Sequence, residues 1–226
     1  QQLINDYSSI SFLNANVNRS NGFNSNNYAL IIDLFDDKRN YSLKTNIYGN
    51  YSPRFSETKG FRGSLSLQEL RGNFKFGLSW NGVDRYYNQN ELGFYNEKNA
   101  QRYSAQFRYR IAKENKVFRS YSNYLFISQR FRFHDFLRTG GGWRFGNNFV
   151  TQNLVTFEVD FDYTGSNKDF YETRTEDRYL IEPANYGVKA GFQTNNINTF
   201  SYGLEYEISE FKNQQFNENK SETRFR

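Results

Sequence analysis

The chain has 226 residues, room for one large domain or two small ones, and carries 29 Lys and Arg against 24 Asp and Glu, a net charge of +5. Its mean hydropathy of −0.89 would suit a disordered chain, but Phe, Trp and Tyr make up 19% of it, and disordered segments are poor in such residues. The absence of cysteine excludes disulfides, thiolate metal sites and cysteine nucleophiles.

No run of about 18 apolar residues offers a transmembrane helix. No leader peptide is legible at Gln1, so the chain reads as a mature form or a piece of something longer. The positive excess is too diffuse to mark a nucleic-acid partner.

From the N-terminus onward the chain repeats one pattern, apolar and polar residues in alternation, which is the period of a strand with one apolar and one wet face. The first strand is expected near Asp6–Arg19. There Ile10 and Phe12 lie on one parity and Ala15 and Val17 on the other, which predicts a bulge near Leu13. Tyr28–Phe35 follows. Tyr41–Ser52 is regular: Tyr41, Leu43, Thr45, Ile47, Gly49 and Tyr51 alternate with Ser42, Lys44, Asn46, Tyr48, Asn50 and Ser52. Phe61–Leu70 and Asn73–Asn81 continue the series. Gln101–Ala112 sets Tyr103, Ala105, Phe107, Tyr109 and Ile111 against Arg102, Ser104, Gln106, Arg108 and Arg110. Arg119–Arg132 is less regular, because Tyr124 and Phe126 fall on the polar parity. Leu137–Phe145, Phe149–Tyr163, Asn185–Thr194 and Thr199–Phe211 complete the pattern, and a last strand begins at Ser221. That makes about 12 strands in a single domain spanning 1–226, with no helix between them.

The connections alternate in length. Asp36–Asn40, Arg71–Gly72, Lys113–Lys116, Gly146–Asn148 and Asn195–Asn198 read as tight turns of Gly, Asn, Asp and Lys. Between them lie longer links at Ser20–Asn27, Pro53–Gly60, Gly82–Ala100, Thr164–Ala184 and Lys212–Lys220. Only Phe133–Phe136 breaks the alternation by being short. In a meander every second connection emerges at the same rim, so one rim has turns and the other loops, as in outer-membrane barrels.

The face that meets water decides the class. A soluble sandwich buries its apolar parity against a second sheet and favours Val, Ile and Leu there. Here that parity is rich in Phe, Tyr and Trp with Gly and Ala between them, and the strands exceed the usual five or six residues. They match the nine to eleven that a tilted strand needs to cross a bilayer. The expected fold is therefore an all-β, antiparallel, up-and-down transmembrane β-barrel. The last strand is only begun at Arg226, so the chain is expected to be part of a larger barrel. A soluble secreted β-solenoid or adhesin is the rival fold, but its sequence would show a fixed repeat period.

Around the loop after Trp80 the chain reads Val83-Asp84-Arg85-Tyr86-Tyr87-Asn88-Gln89-Asn90-Glu91-Leu92-Gly93-Phe94, with Asn99 beyond. This resembles the "N-x-x-G-F" loop of a family of Bacteroidota outer-membrane proteins. The stretch Phe161-Asp162-Tyr163, Glu172-Thr173-Arg174, Tyr179 and Pro183 is similar to the "f-D … E-T-R … P" loop of the same family. That family couples an amino-terminal carbohydrate-binding-like β-domain to a carboxy-terminal barrel of unassigned function. The resemblance covers the barrel half alone. It also implies a distant similarity to the barrels of TonB-dependent transporters, although neither a plug nor a TonB box is recognisable.

The candidate site residues follow from parity. Arg102, Arg108, Arg110, Arg130, Arg132, Arg138 and Arg144 form a basic wall on three consecutive strands. Glu158, Asp160 and Asp162, with Glu205 and Glu207 further on, form an acidic wall. Facing walls would make interior salt bridges that hold register, or set a transverse field that sorts solutes by charge. Tyr41, Tyr51, Trp80, Tyr103, Trp143 and Tyr163 suit an interfacial aromatic girdle. Tyr86, Tyr87, Glu91, Phe94, Glu172 and Arg174 are loop candidates for glycan binding by stacking and hydrogen bonds.

His134 is the only histidine. Neighbouring residues of a strand point to opposite faces, so His134 and Asp135 read as rim residues rather than a catalytic pair. The acidic run is too widely spaced along its strand for one calcium site. Gly140, Gly141 and Gly142 suggest a bend or a close backbone approach rather than a phosphate cradle. No catalytic set, metal or cofactor is expected.

The expected role is that of a pore, transporter-like or scaffold component of a surface complex in a bacterial outer membrane. An outer-membrane hydrolase or a surface glycan-binding protein is the alternative. Expected partners are the lipid bilayer with its lipopolysaccharide, other outer-membrane proteins or surface lipoproteins, and glycans.

Overall fold

The computed structural model describes residues 2–18, 20, 24–52, 56–87, 98–113, 115–173, 175, 177–195, 202–213 and 218–225. Among them there is no helix. The strands are β1 (Gln2–Leu3), β2 (Ser9–Val17), β3 (Ser25–Phe35), β4 (Tyr41–Ser52), β5 (Ser56–Glu69), β6 (Phe74–Val83), β7 (Ala100–Ile111), β8 (Phe118–Arg132), β9 (Arg138–Thr151), β10 (Thr156–Thr164), β11 (Asn167–Asp169), β12 (Leu180–Glu182), β13 (Ala184–Gln193), β14 (Gly203–Asn213) and β15 (Glu218–Phe225). Thirteen of them form one sheet in the order β1 to β10, then β13 to β15. The order is linear. No pairing of β1 with β15 occurs among the described residues, and β11 and β12 form a separate small sheet. The described chain also divides into two compact units. One is Gln1–Arg71, Gly77–Ser104 and Gln129–Thr139; the other is Gly72–Phe76, Ala105–Ser128 and Gly140–Arg226.

In the first unit, pairing keeps like with like on each face. Ser42, Lys44 and Asn46 stand opposite Gln68, Ser66 and Ser64, and Ser64 and Ser66 stand opposite Asn81 and Ser79. The reverse face sets Leu43, Thr45 and Ile47 against Leu67, Leu65 and Gly63, then Leu65 and Leu67 against Trp80 and Leu78. In the second unit, Phe157, Phe161 and Tyr163 of β10 stand between Phe149, Phe145 and Trp143 of β9 and Phe192, Val188 and Tyr186 of β13. The rings of Phe149, Phe157 and Phe192 form a ladder with centroid spacings of 6.4 and 6.3 Å. Such cross-strand pairs are the unit of sheet stabilisation, each contributing about 0.2–1 kcal/mol.

Glycines make room for rings on the apolar face. Tyr28 lies directly opposite Gly49, and its ring occupies the space a Cβ there would need. Gly63 and Gly82 lie beneath a cluster of Phe61, Trp80 and Phe133, whose centroids are 6.2–6.5 Å apart.

Within each unit, no second layer covers the apolar face among the described residues. Among the described residues the buried apolar side chains are Ala29 and Tyr87 alone, while Leu65, Leu78 and Phe161 are 44%, 45% and 37% exposed.

Three expectations are corrected. Pairing of β2 with β3 runs unbroken from Ser9↔Asp33 to Val17↔Ser25, so there is no bulge at Leu13. The parity change there is one of chemistry: Leu13 stands opposite Ala29 on the face that is polar further along. The bulge lies at Asn50–Ser52 of β4. Gly146–Asn148 is not a turn but part of β9. The chain reverses at Thr151–Val155 instead, where the Thr151 N–H donates to the Val155 carbonyl over 2.9 Å and Leu154 takes a φ of 60°. Gly146 serves a different end, since the Tyr124 ring and the Asp160 carboxylate fill the space beside it. Finally, Thr164–Ala184 is not a plain loop but contains the β11–β12 hairpin, with Asn167 opposite Glu182. Parts of the expected links Ser20–Asn27, Pro53–Gly60, Gly82–Ala100, Asn195–Asn198 and Lys212–Lys220 lie outside the described residues.

At Gly140–Gly142 the backbones approach closely: a Cβ on Gly142 would strike the Tyr163 carbonyl and Thr164 Cα. Gly142→Ala is therefore expected to cost about 1–3 kcal/mol, as overpacking does. Gly77→Ala, whose Cβ would meet only Gln68 Cγ at 3.6 Å, serves as the control and should leave the denaturation midpoint unchanged or raised. Equal midpoints for the two variants would refute the close-approach account.

Candidate functional site

Two polar regions carry the charges, one in each unit. In the first unit a cleft of about 420 Å³ opens on the polar face and is lined by Arg62 of β5, Arg102 of β7 and Arg130 of β8, with Asn46, Ser64, Asn81 and Thr139 among its walls. Strand alternation brings these together. Ser64 stands opposite both Asn46 and Asn81, and the Asn46 amide donates to Ser64 Oγ over 3.1 Å. Among the described residues no carboxylate lines the cleft.

The loop after β6 folds down beside it. Asp84 Oδ2 accepts the Phe61 N–H at 2.8 Å, and its Oδ1 accepts the N–H groups of Tyr86 and Tyr87 at 2.8 and 2.7 Å. That Asx-type turn lays Tyr87 against Gly60, where a Cβ would strike the Tyr87 backbone and Asn50 Oδ1. Tyr87 thereby becomes a cleft wall at 5% exposure.

Behind the cleft, buried Gln101 ties three strands together. Its Oε1 accepts from Trp80 Nε1 and from the Tyr103 hydroxyl, each at 3.2 Å, and its Nε2 donates to the Arg132 carbonyl at 3.2 Å. At the β8–β9 turn the His134 N–H donates to Asn99 Oδ1 and the Phe133 N–H to the Asn99 carbonyl. Asn99 takes a φ of 53° to do this. Asp135 pairs with Arg132 at 3.4 Å and accepts the Leu137 N–H, so its carboxylate is engaged away from His134.

In the second unit acidic residues flank Lys189 on both neighbouring strands. Lys189 of β13 stands opposite Asp160 of β10 and Glu207 of β14. Its Nζ leans instead to Glu158 at 2.6 Å and Glu205 at 3.0 Å. Gly191 stands between Glu158 and Glu205 in register. Asp160 accepts a hydrogen bond from the Tyr124 hydroxyl at 3.3 Å, which explains why Tyr124 sits on the polar parity. Asp162 stands opposite Arg144 on one side and overhangs Gly187 on the other. Glu158 and Glu205 also border a smaller cleft of about 290 Å³.

The expected basic wall is thus distributed. Arg102 and Arg130 share the first cleft, joined by Arg62, which parity alone could have added because it alternates with Phe61 and Gly63. Arg138 lies outside that cleft and donates from Nε to Gln129 Oε1 at 3.0 Å. Arg108 and Arg110 belong to the second unit, on the parity opposite Phe107, whose ring stacks on Phe74 at 6.4 Å. The girdle candidates Tyr41, Tyr51, Trp80 and Tyr103 occupy the apolar parity of the first unit. Trp143 and Tyr163 occupy that of the second, as a pair 6.3 Å apart.

Among the loop candidates, Tyr86 stacks under Arg85 at 4.9 Å. Glu172 donates its N–H to Asp169 Oδ1 in a loop pinned by the Phe170–Tyr179 ring contact at 5.1 Å. Glu91, Phe94 and Arg174 lie outside the described residues. Lys189 was not singled out from the sequence; its signal was a lone cation on a strand whose neighbours are acidic.

Lys189, Glu158 and Glu205 are each about one-third exposed, so each pair is expected to contribute only about 0.5–1 kcal/mol. Lys189→Met should lower the unfolding midpoint modestly. A double-mutant cycle with Glu158→Gln should return a coupling of that size that shrinks in high salt; additive effects would disprove the pairing.

No curated protein and no solved structure matches the chain. One family model matches residues 1–226, the whole of it. The chain therefore belongs to the family described as Domain of unknown function (DUF5916).

Proposed function

We propose that this chain forms part of the wall of a transmembrane β-barrel in a bacterial outer membrane, acting as a pore or as the scaffold of a surface complex rather than as an enzyme. The observation that carries the reading is the uncovered apolar face. A sheet that turns rows of Phe, Leu, Tyr and Trp outward with nothing packed on them is unstable in water and stable in hydrocarbon. Strand lengths support it: β2 to β10, β13 and β14 run 9 to 15 residues, enough to cross a bilayer at a tilt. Neighbour-to-neighbour antiparallel pairing also counts against a solenoid, whose coils stack in parallel. In lipid both edges of the sheet need partners, supplied by each other or by further strands.

Both tryptophans, Trp80 and Trp143, lie on the apolar parity and report on this directly. After reconstitution, brominated lipids should quench their fluorescence strongly. Leu65→Arg, on the apolar face, should weaken insertion by about 2–4 kcal/mol, and Ser66→Arg, on the opposite face, should be tolerated. Unquenched tryptophan in a water-soluble monomer would refute the membrane reading.

Conductance in planar bilayers separates pore from scaffold. A pore should change its ion selectivity on Arg110→Ala or Asp160→Ala, and a scaffold should conduct nothing.

A further inference from the structure

We infer that the cleft of the first unit binds an oxyanion of the phosphate or sulfate class. Arg62, Arg102 and Arg130 line it from three strands, and no Asp or Glu stands among its described walls. Among the described residues none of these three guanidinium groups makes a hydrogen bond, an ion pair or a ring contact. In the second unit, by contrast, Lys189 pairs with Glu158 and Glu205 on the flanking strands. Asp84, the carboxylate nearest in sequence to the cleft loop, has both oxygens occupied by backbone N–H groups, and Asp135 is taken by Arg132.

Three like charges gathered without a counter-ion repel one another, and a multivalent anion removes that cost. Guanidinium forks match phosphate and sulfate oxygens two at a time, which separates these ligands from simple halides. The remaining walls offer amide and hydroxyl groups at Asn81, Ser64 and Thr139 and a tyrosine ring at Tyr87, which suit the hydroxyls of a carrier such as a sugar. The volume of about 420 Å³ lies in the usual range of small-molecule pockets, about 300–1,000 Å³. The inference does not rest on the membrane reading, since the cleft lies on the polar face wherever the protein resides.

The test is calorimetric titration of the folded full chain with inorganic phosphate, glucose 6-phosphate and glucose, at low and high salt. Phosphate or glucose 6-phosphate should bind and glucose should not, with affinity falling as salt rises. Tighter binding of glucose 6-phosphate identifies a sugar-borne anion, and equal binding identifies the free ion. Arg102→Gln and Arg130→Gln should each weaken binding at least about tenfold. Arg102→Lys, which keeps the charge and loses the fork, should recover part of it. Arg71→Gln, in an exposed turn, should change nothing. Circular dichroism establishes that each variant folds. Absence of binding by both anions, or equal loss with Arg71→Gln, overturns the inference.

Discussion

Hydrogen-bonded register is what everything else in this protein depends on. With period two along each strand, a slip of one residue would carry every ring to the polar face and every charge to the apolar one. The pairing of β4 with β5 shows how tightly this is held: from Tyr41↔Glu69 to Asn50↔Gly60 each residue keeps its partner, and the register shifts only at the Asn50–Ser52 bulge near the strand's end. No buried core enforces the arrangement among the described residues. It is enforced by backbone bonding and by side chains that meet across strands.

Glycine has two uses in that arrangement. On the apolar parity it lies under rings, as Gly49 under Tyr28 and Gly63 and Gly82 under the Phe61–Trp80–Phe133 cluster. Covering a glycine with an aromatic ring from the next strand restores the packing its own side chain lacks. On the polar parity it opens gaps for long or charged groups: Gly146 for Tyr124 and Asp160, and Gly187 for Asp162. The same residue type thus pins register on one face and places charge on the other.

The two units treat charge differently. The second spreads carboxylates over β10 and β14, where Lys189 meets Glu158 and Glu205 and the Tyr124 hydroxyl meets Asp160. The first gathers three arginines around a cleft with no acid among its described walls. Partly exposed charges in a wet sheet tolerate either arrangement at small cost, so stability does not dictate the difference. Charge left uncompensated in a concave, hydrogen-bond-rich place is the part of the molecule best suited to meet a ligand.

Side-chain alternation is a local property, so the strands were legible in the residues themselves. Tyr41–Ser52 has the bounds that parity gives it; the strand expected at Gln101–Ala112 runs Ala100–Ile111, one residue earlier at both ends, and that expected at Arg119–Arg132 starts one residue earlier, at Phe118. The basic and acidic rows were legible for the same reason. Alternation carries no information about which residue stands opposite which, and there the reading failed. It placed a turn at Gly146–Asn148 because glycine and asparagine are common in turns, whereas Gly146 is a gap for Tyr124 and Asp160. The real reversal uses Leu154 at positive φ, which no composition rule marks. Parity change near Leu13 looked like a bulge because the apolar patch changes sides while the pairing does not. Arg62 entering the cleft, Lys189 bridging two strands and the β11–β12 hairpin all depend on contacts between distant segments. Local sequence thus determined the strands and the chemistry of their two faces. Tertiary pairing alone decided which charges meet and which are left without a partner, because opposition across strands is set by register and turn geometry, neither of which has a period.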